Sequence, residues 1–363
     1  MTVFAQRRTA LLADTACNAY LVVDLARLMP KEIDHTSLFY LTGYQGEGVL
    51  IITGQESLLL ADERYFEAAK DAVGHDLVIH QAAGDYLANI KDEVGRLDLS
   101  DLSFTSNRIT YSLFDRLQQL LDIDLTPRED PIARLRMNKD PEEIARIEAA
   151  VEISEVCLHR LVEEINIGMT EAQIASRLDT LMLESGVGPA FETIVAAGEN
   201  CFSQHHQPSE RPIKREDFLL IDFGAKKDEY LADITRTFAV AAITPKMQAI
   251  HDAAREATEI GTAALRPGTP IKDVWQTIKN HFDQTDFAPH RAISGHCIGL
   301  DVHERPFILA DDDFELQPGM VTTMEPGIYI QGYGGVRIED DVLITATGPR
   351  SLSSFPRELM VVG

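Results

Sequence analysis

Positive charge is scarce in this chain: 33 Lys and Arg stand against 58 Asp and Glu, a formal net charge of −25 over 363 residues. Phosphate binding needs clustered cations, so a nucleic-acid surface is excluded. Cysteine is scarce too. Cys17, Cys157, Cys201 and Cys297 show no CxxC spacing, which excludes a zinc ribbon and a disulfide framework and fits a reducing compartment. No stretch reaches the ~20 consecutive apolar residues that a membrane helix requires. The opening MTVFAQRRTALLADTACNAYLVV lacks the basic flank, apolar core and cleavage site of a signal peptide. No GxGxxG follows a strand-like run, which argues against a dinucleotide-binding domain. The expectation is a cytoplasmic protein with neither a membrane nor a nucleic-acid partner.

What remains is ordinary globular composition, 45% hydrophobic and 25% charged, in a chain long enough for two domains. Residues 1–125 alternate strand-like and helix-like stretches and predict a small α/β domain. Val49–Thr53 and Ser57–Ala61 are apolar runs separated by Gly54-Gln55-Glu56, and Tyr65–Val73 carries Phe66, Ala69 and Val73 on one helical face. Residues 126–363 predict an α+β domain that opens with a helical connector over 126–155. Asp140-Pro141-Glu142-Glu143 is a helix start with an Asp cap, Pro at the first position and acids facing the dipole. Thr170-Glu171-Ala172-Gln173 is a capping box, and Thr244-Pro245 opens a third helix that stops before Arg266-Pro267-Gly268. Strands are expected over Phe218–Phe223, Leu231–Val240, Val321–Met324 and Gly335–Ile344.

Most acids fall on helix surfaces, where solvent accounts for them. Four do not. Asp222 ends the apolar run Phe218-Leu219-Leu220-Ile221, and Asp233 shares a polar strand face with Thr235 and Thr237. Glu325 follows Val321–Met324 and precedes a strand-ending Pro326-Gly327, and Glu339 lies in a strand-like run with Arg337 and Asp341 on its face. Buried carboxylates must be paired, protonated or bound to metal. If these strands converge, one arginine cannot neutralise them, whereas two divalent cations balance about four negative charges. An imidazole added to such an oxygen-rich set suits Mn²⁺, Co²⁺, Fe²⁺ or Zn²⁺ rather than Ca²⁺. Two segments offer histidines, Ser294–Pro306 and Ser203–His206, and spacing alone does not choose among the eleven in the chain.

These segments closely resemble the proline-specific metallopeptidases of the pita-bread fold, the aminopeptidase P and prolidase family. The resemblance rests on IDFGAKKDEYLADITRT, SGHCIGLDVHERP, TTMEPGIYI and GVRIEDDVLIT in the family's order, with FETIVAAGENCFSQHH upstream. FYLTGYQGEGVLII and LADERYFEAA resemble the family's creatinase-like N-terminal domain. The resemblance implies a pita-bread catalytic domain behind that smaller domain. It implies two divalent ions, manganese foremost, held by Asp222, Asp233, His296, Glu325 and Glu339. It assigns Glu325 as general base and His205 and His303 as stabilisers of the tetrahedral intermediate. Arg337 is assigned to hold Glu339 or Asp233, Phe191 and Tyr329 to the substrate wall, and His206 to a solvated position. The implied activity is exopeptidase cleavage of the Xaa-Pro bond in dipeptides or short peptides by a hydroxide between the ions, in a homodimer, with dipeptidase favoured over aminopeptidase. The alternatives are a methionine-aminopeptidase-like hydrolase, which usually lacks this N-terminal domain, and a catalytically silent binding module. Two departures stand out: Cys297 beside His296, where a thiolate would compete as a soft ligand, and Glu229, where a glycine is common before the tyrosine.

Overall fold

The computed structural model describes residues 1–25, 34–82, 84–287 and 294–363. The chain divides into two compact units, Met1–Arg136 and Met137–Gly363. In the first, the elements run α1(Val3–Thr15), β1(Ala19–Asp24), α2(His35–Thr42), β2(Gly48–Thr53), β3(Ser57–Asp62), α3(Phe66–Val73), β4(Val78–Ala82), α4(Tyr86–Arg96), β5(Asp101–Thr105), α5(Tyr111–Leu120), β6(Asp124–Arg128) and α6(Pro131–Arg136). The six strands form one mixed sheet in the order β4-β3-β2-β1-β5-β6. Leu21, Val23, Ile51, Leu58 and Leu60 pack against Leu87, Ile90, Leu113 and Leu117 of α4 and α5. The alternate residues Tyr20, Val22, Leu50, Ile52 and Leu59 are buried as well, so the strands read as continuous apolar runs because both faces are covered. Strand β6 pairs with β5, which places residues 124–136 in this unit rather than beyond a boundary at 125.

The second unit runs α7(Pro141–Glu164), α8(Glu171–Glu184), β7(Gly188–Pro189), β8(Ile194–Ala197), a 3₁₀ turn at Gly198–Phe202, β9(Phe218–Phe223), β10(Ala225–Lys227), β11(Tyr230–Leu231), β12(Ile234–Val240), α9(Pro245–Ala264), α10(Ile271–Phe282), β13(His296–Cys297), β14(Glu304–Phe307), β15(Val321–Met324), β16(Gly327–Ile330), β17(Gly334–Arg337), β18(Asp340–Thr345), β19(Gly348–Ser351) and β20(Val361–Val362). Asp140 and Thr170 both close capping boxes, and Thr244 accepts from the Met247 N–H with Pro245 opening α9. Two sheets carry the site, β20-β12-β9-β8 and β14-β13-β15-β18-β19. Strand period two splits β9 between two cores. Leu219, Ile221 and Phe223 pack with Leu158, Leu161 and Leu178 of α7 and α8. Phe218 and Leu220 face Ile250, Ile278, Met324 and Val342. Asp222 continues that second face.

Two expected strands are each interrupted. Leu231–Val240 is interrupted at Ala232-Asp233, and Gly335–Ile344 at Ile338-Glu339. At the first break the chain backbone passes so close to Gly224 that a Cβ there would lie 1.6 Å from the Ala232 carbonyl oxygen. At the second, the chain leaves its hairpin with β16 and pairs with β15 instead. A change of hydrogen-bonding partner makes both breaks, from β10 to β9 at the first and from β16 to β15 at the second.

The turn before the first break holds Asp228 at φ 48° and Glu229 at φ 72°. An L-residue with a Cβ is strained there and glycine is not. Replacing Glu229 by Gly gives up its ion pair with Lys226, whose side chain is 41% exposed, and that loss offsets only part of the gain. Glu229→Gly is expected to stabilise the protein by about 0.5–1 kcal/mol. The check is a urea midpoint that rises at unchanged slope.

Candidate active site

Five side chains converge from the two sheets. Asp222 closes β9, Asp233 stands between β11 and β12, His296 opens β13, Glu325 follows β15, and Glu339 stands between β17 and β18. Thr235 is opposite Asp222 in the β9–β12 register and bridges to Glu339, so three strands bring these positions abreast. Donor atoms of Asp233, His296 and Glu339 all lie within 4.8 Å of one another. His296 Nε2 is 3.6 Å from Asp233 Oδ2 and 3.3 Å from Glu325 Oε1.

Threonine hydroxyls hold the acids in place. Thr235 donates to Glu339 Oε2 at 2.6 Å and accepts from Arg337 Nε at 3.1 Å. Thr323 donates to Glu325 Oε1 at 3.2 Å and accepts from the His296 N–H at 3.1 Å. Asp341 Oδ2 accepts from the Asp233 N–H at 3.0 Å. The Arg337 guanidinium donates to Asp222 Oδ2, to the Tyr329 hydroxyl at 2.8 Å and to Thr235. It therefore holds Asp222 directly and Glu339 through Thr235 and by charge, so Asp222 joins Glu339 among its partners.

Burial, followed by mutual repulsion, pushes the carboxyl groups of Asp233 and Glu339 well above the usual range. Burial raises Glu325 also, with the Arg337 charge opposing. Burial lowers His296 to about 4, so its ring is neutral near pH 7. Its Nδ1 lies 3.1 Å from the Cys297 carbonyl, which can only accept, so the ring proton sits on Nδ1. The Nε2 lone pair then points at carboxylate oxygens of Asp233 and Glu325. Acceptors facing acceptors repel unless a cation lies between them. Asp222 Oδ1, buried and without a hydrogen-bond partner among the described residues, adds a further unused donor atom to the same cavity. This donor set, carboxylate oxygens plus one neutral imidazole, fits a borderline divalent metal ion.

The site lines a cavity of about 1130 Å³ that also receives Phe191, His205, His303, Tyr329 and Arg337. All ten residues singled out in the sequence thus reach one cavity. His303 packs edge-on to His296 at 4.4 Å between ring centroids, and burial lowers its pKa, with the His296 ring adding to the effect. His206 is not the solvated neighbour that was expected: its side chain is 18% exposed and Nε2 lies 2.8 Å from the fully buried Glu171. Cys297 is no competing ligand either. It sits in the apolar core beside Met324, and burial pushes its thiol up to about 12, so it stays protonated.

Sequence reading missed Gln204, Trp275, Lys279, Phe282 and Phe307 on the cavity wall, and the two threonine bridges. Trp275, Ile278 and Phe282 recur at helical spacing on α10, a pattern that reads as a core stripe. Nothing in the pattern distinguished a cavity-facing stripe from a packed one.

Comparison with known proteins identifies the family. The profile of metallopeptidase family M24 matches residues 145–346, and that of the creatinase/prolidase N-terminal domain matches residues 6–138. An Xaa-Pro dipeptidase of Pyrococcus furiosus is 33% identical over 331 residues, 89% of this chain and 92% of that protein. The crystal structure of an X-Pro aminopeptidase from Thermotoga maritima superposes with a TM-score of 0.92 at 31% identity, covering 98% of this chain and all of that one. An Xaa-Pro dipeptidase from Bacillus anthracis gives 0.91 at 28% identity over 99% of both. The chain belongs to metallopeptidase family M24, with the two-domain α+β architecture of its creatinase- and prolidase-type members. Membership implies a divalent metal ion. Among the described residues, no helix is long and apolar enough to cross a membrane.

Proposed function

We propose that this protein is a cytoplasmic Xaa-Pro exopeptidase, acting on proline-containing dipeptides ahead of longer peptides and working with two divalent ions, manganese foremost. The observation that carries the reading is the convergence of Asp222, Asp233, Glu325 and Glu339 on a neutral His296 whose free lone pair faces carboxylate oxygens. Four acids on one imidazole, with Arg337 already engaged, leave charge for a second cation. Relatives named as Xaa-Pro dipeptidases and an X-Pro aminopeptidase support the choice of substrate.

The prolyl bond is a tertiary amide without an N–H, so an enzyme cannot grip it through that proton. Bound divalent ions supply acidified water and a polarised scissile carbonyl. The chain's own residues do the rest. Glu325, its pKa raised by burial, takes the proton of the attacking water and returns it to the departing proline nitrogen. His205 and His303 line the cavity beside it and donate to the oxygen that becomes negative. Arg337 fixes Asp222 and the Tyr329 hydroxyl in one plane of donors, while Phe191 and the Tyr329 ring shape the wall. A homodimer belongs to the same reading, and light scattering on the purified protein tests it.

With added Mn²⁺, Ala-Pro is expected to be cleaved fastest, Ala-Pro-Ala more slowly, and Met-Ala-Ser not at all. Cleavage of Met-Ala-Ser alone would replace this reading with a methionine-aminopeptidase-like one. Inertness toward all three, with no Mn, Co or Zn in the purified protein, would leave a silent module.

A further inference from the structure

Glu171 opens α8, and none of its surface is exposed. A buried carboxylate needs partners, and this one has five, all from one stretch of chain. Oε1 accepts from the Ala197 N–H at 2.7 Å and the Asn200 amide at 2.9 Å. Oε2 accepts from the Ser209 N–H at 3.1 Å and its hydroxyl at 2.6 Å, and meets His206 Nε2 at 2.8 Å. These hydrogen bonds lower the Glu171 pKa although burial opposes them, so it is charged at neutral pH. Backbone bonds from Glu171 to Arg211 and from Ala172 to Ser209 fasten the far end of the same stretch.

Gln204 and His205 lie in the middle of it and reach the cavity. The His205 ring itself forms no hydrogen bond within the described residues. Its place over the cavity is set by the backbone that carries it, which Glu171 holds directly at the Ala197 and Ser209 N–H groups and through the side chains of Asn200 and His206, while Arg337 donates to the Gln204 carbonyl between them. We propose that Glu171 is the positioning residue for His205, acting through His206 and Ser209, in the reaction assigned above. The inference rests on that assignment for its kinetic consequences and on the geometry alone for its mechanical ones.

The carboxylate form is required. One backbone N–H, from Ala197, points at one oxygen, and another, from Ser209, points at the other. Neither can do anything but donate. In Glu171→Gln, either orientation of the amide sets its NH₂ against an N–H, and the loop must give way.

The test uses the metal-loaded full chain. A displacement of about 1 Å costs on the order of 10²-fold in rate, so Glu171→Gln is expected to lower kcat on Ala-Pro by about that much, with KM and metal content nearly unchanged. His206→Ala, at a half-buried site that endangers folding less, should lower kcat in the same direction, and His206→Gln, which keeps a donor, should restore part of it. In a His205→Ala background Glu171→Gln should cost nothing further, because a positioning residue has nothing left to position. Additive losses would overturn the proposal. Hydrogen exchange decides independently of turnover: amides of residues 198–209 should exchange faster in both Glu171→Gln and His206→Ala while β9 and β12 stay protected. Unchanged exchange there would overturn it whether or not the protein cleaves Ala-Pro, whereas an inactive wild-type chain with the expected exchange pattern would count against the assigned reaction instead.

Discussion

Glu325→Gln is expected to lower kcat on Ala-Pro by about 10³-fold while the protein stays folded, the scale of a lost general base. The amide keeps an oxygen for the Thr323 hydroxyl, which now reaches Oε1 at 3.2 Å, so the local fold has no reason to change. What it loses is the capacity to take up a proton and give it back. The raised pKa of Glu325 brings its proton affinity closer to that of the groups it serves than an exposed glutamate would. Steady-state kinetics, metal analysis and a thermal melt on the same preparation separate the possibilities. A rate loss with unchanged metal content assigns proton transfer, and one that tracks the loss of an ion assigns ligation. Full turnover with both ions retained would remove Glu325 from the chemistry.

Chelation should cost both activity and stability, and the stability cost should grow with pH. Asp233 and Glu339 have folded pKa values above their unfolded ones. Such acids favour the folded state below about pH 4, and that contribution is lost as pH rises through the raised folded values. His296 and His251, both lowered to about 4 by burial, have the opposite slope: they cost stability as pH falls below about 6.5, where the unfolded rings take up protons. Above about pH 6.5 the histidines contribute little. In a chelator the melting temperature is therefore expected to fall as pH rises through the raised values of Asp233 and Glu339. With Mn²⁺ at about a thousand times its Kd, the folded state gains about 4 kcal/mol, and the gap between the two melting curves should widen as pH rises. Coincident curves at pH 8 would mean that no cation relieves the crowding.

How much of this was legible beforehand depends on the scale of the signal. Caps at Asp140, Thr170 and Thr244 are local, and each opened its helix where the sequence said. Asp222 stood out because a carboxylate at the end of Phe218–Ile221 has no water to face. The breaks at Asp233 and Glu339 were invisible, since no Gly or Pro marks either one within Leu231–Val240 or Val336–Ile344. Only the partners across the sheet decide where the pairing changes. Arg337 was readable as a charge on Glu339's face, but its direct partner Asp222 lies 115 positions away. His206 was misjudged for the same reason, because Glu171 looks from sequence like one more acid in the first turn of a helix. Resemblance supplied what spacing could not, namely which histidines to look for, and His205, His296 and His303 all reach the cavity.

Glu339 meets Thr235 across 104 positions of chain. A ribosome must therefore release a further 104 residues beyond Thr235 before the last acid can join the others. Long-range pairing of this kind forms late and slowly, and until it does the nascent chain holds only fragments of a catalytic centre. Because the donors are scattered, no partial chain that stops short of Glu339 carries the whole set.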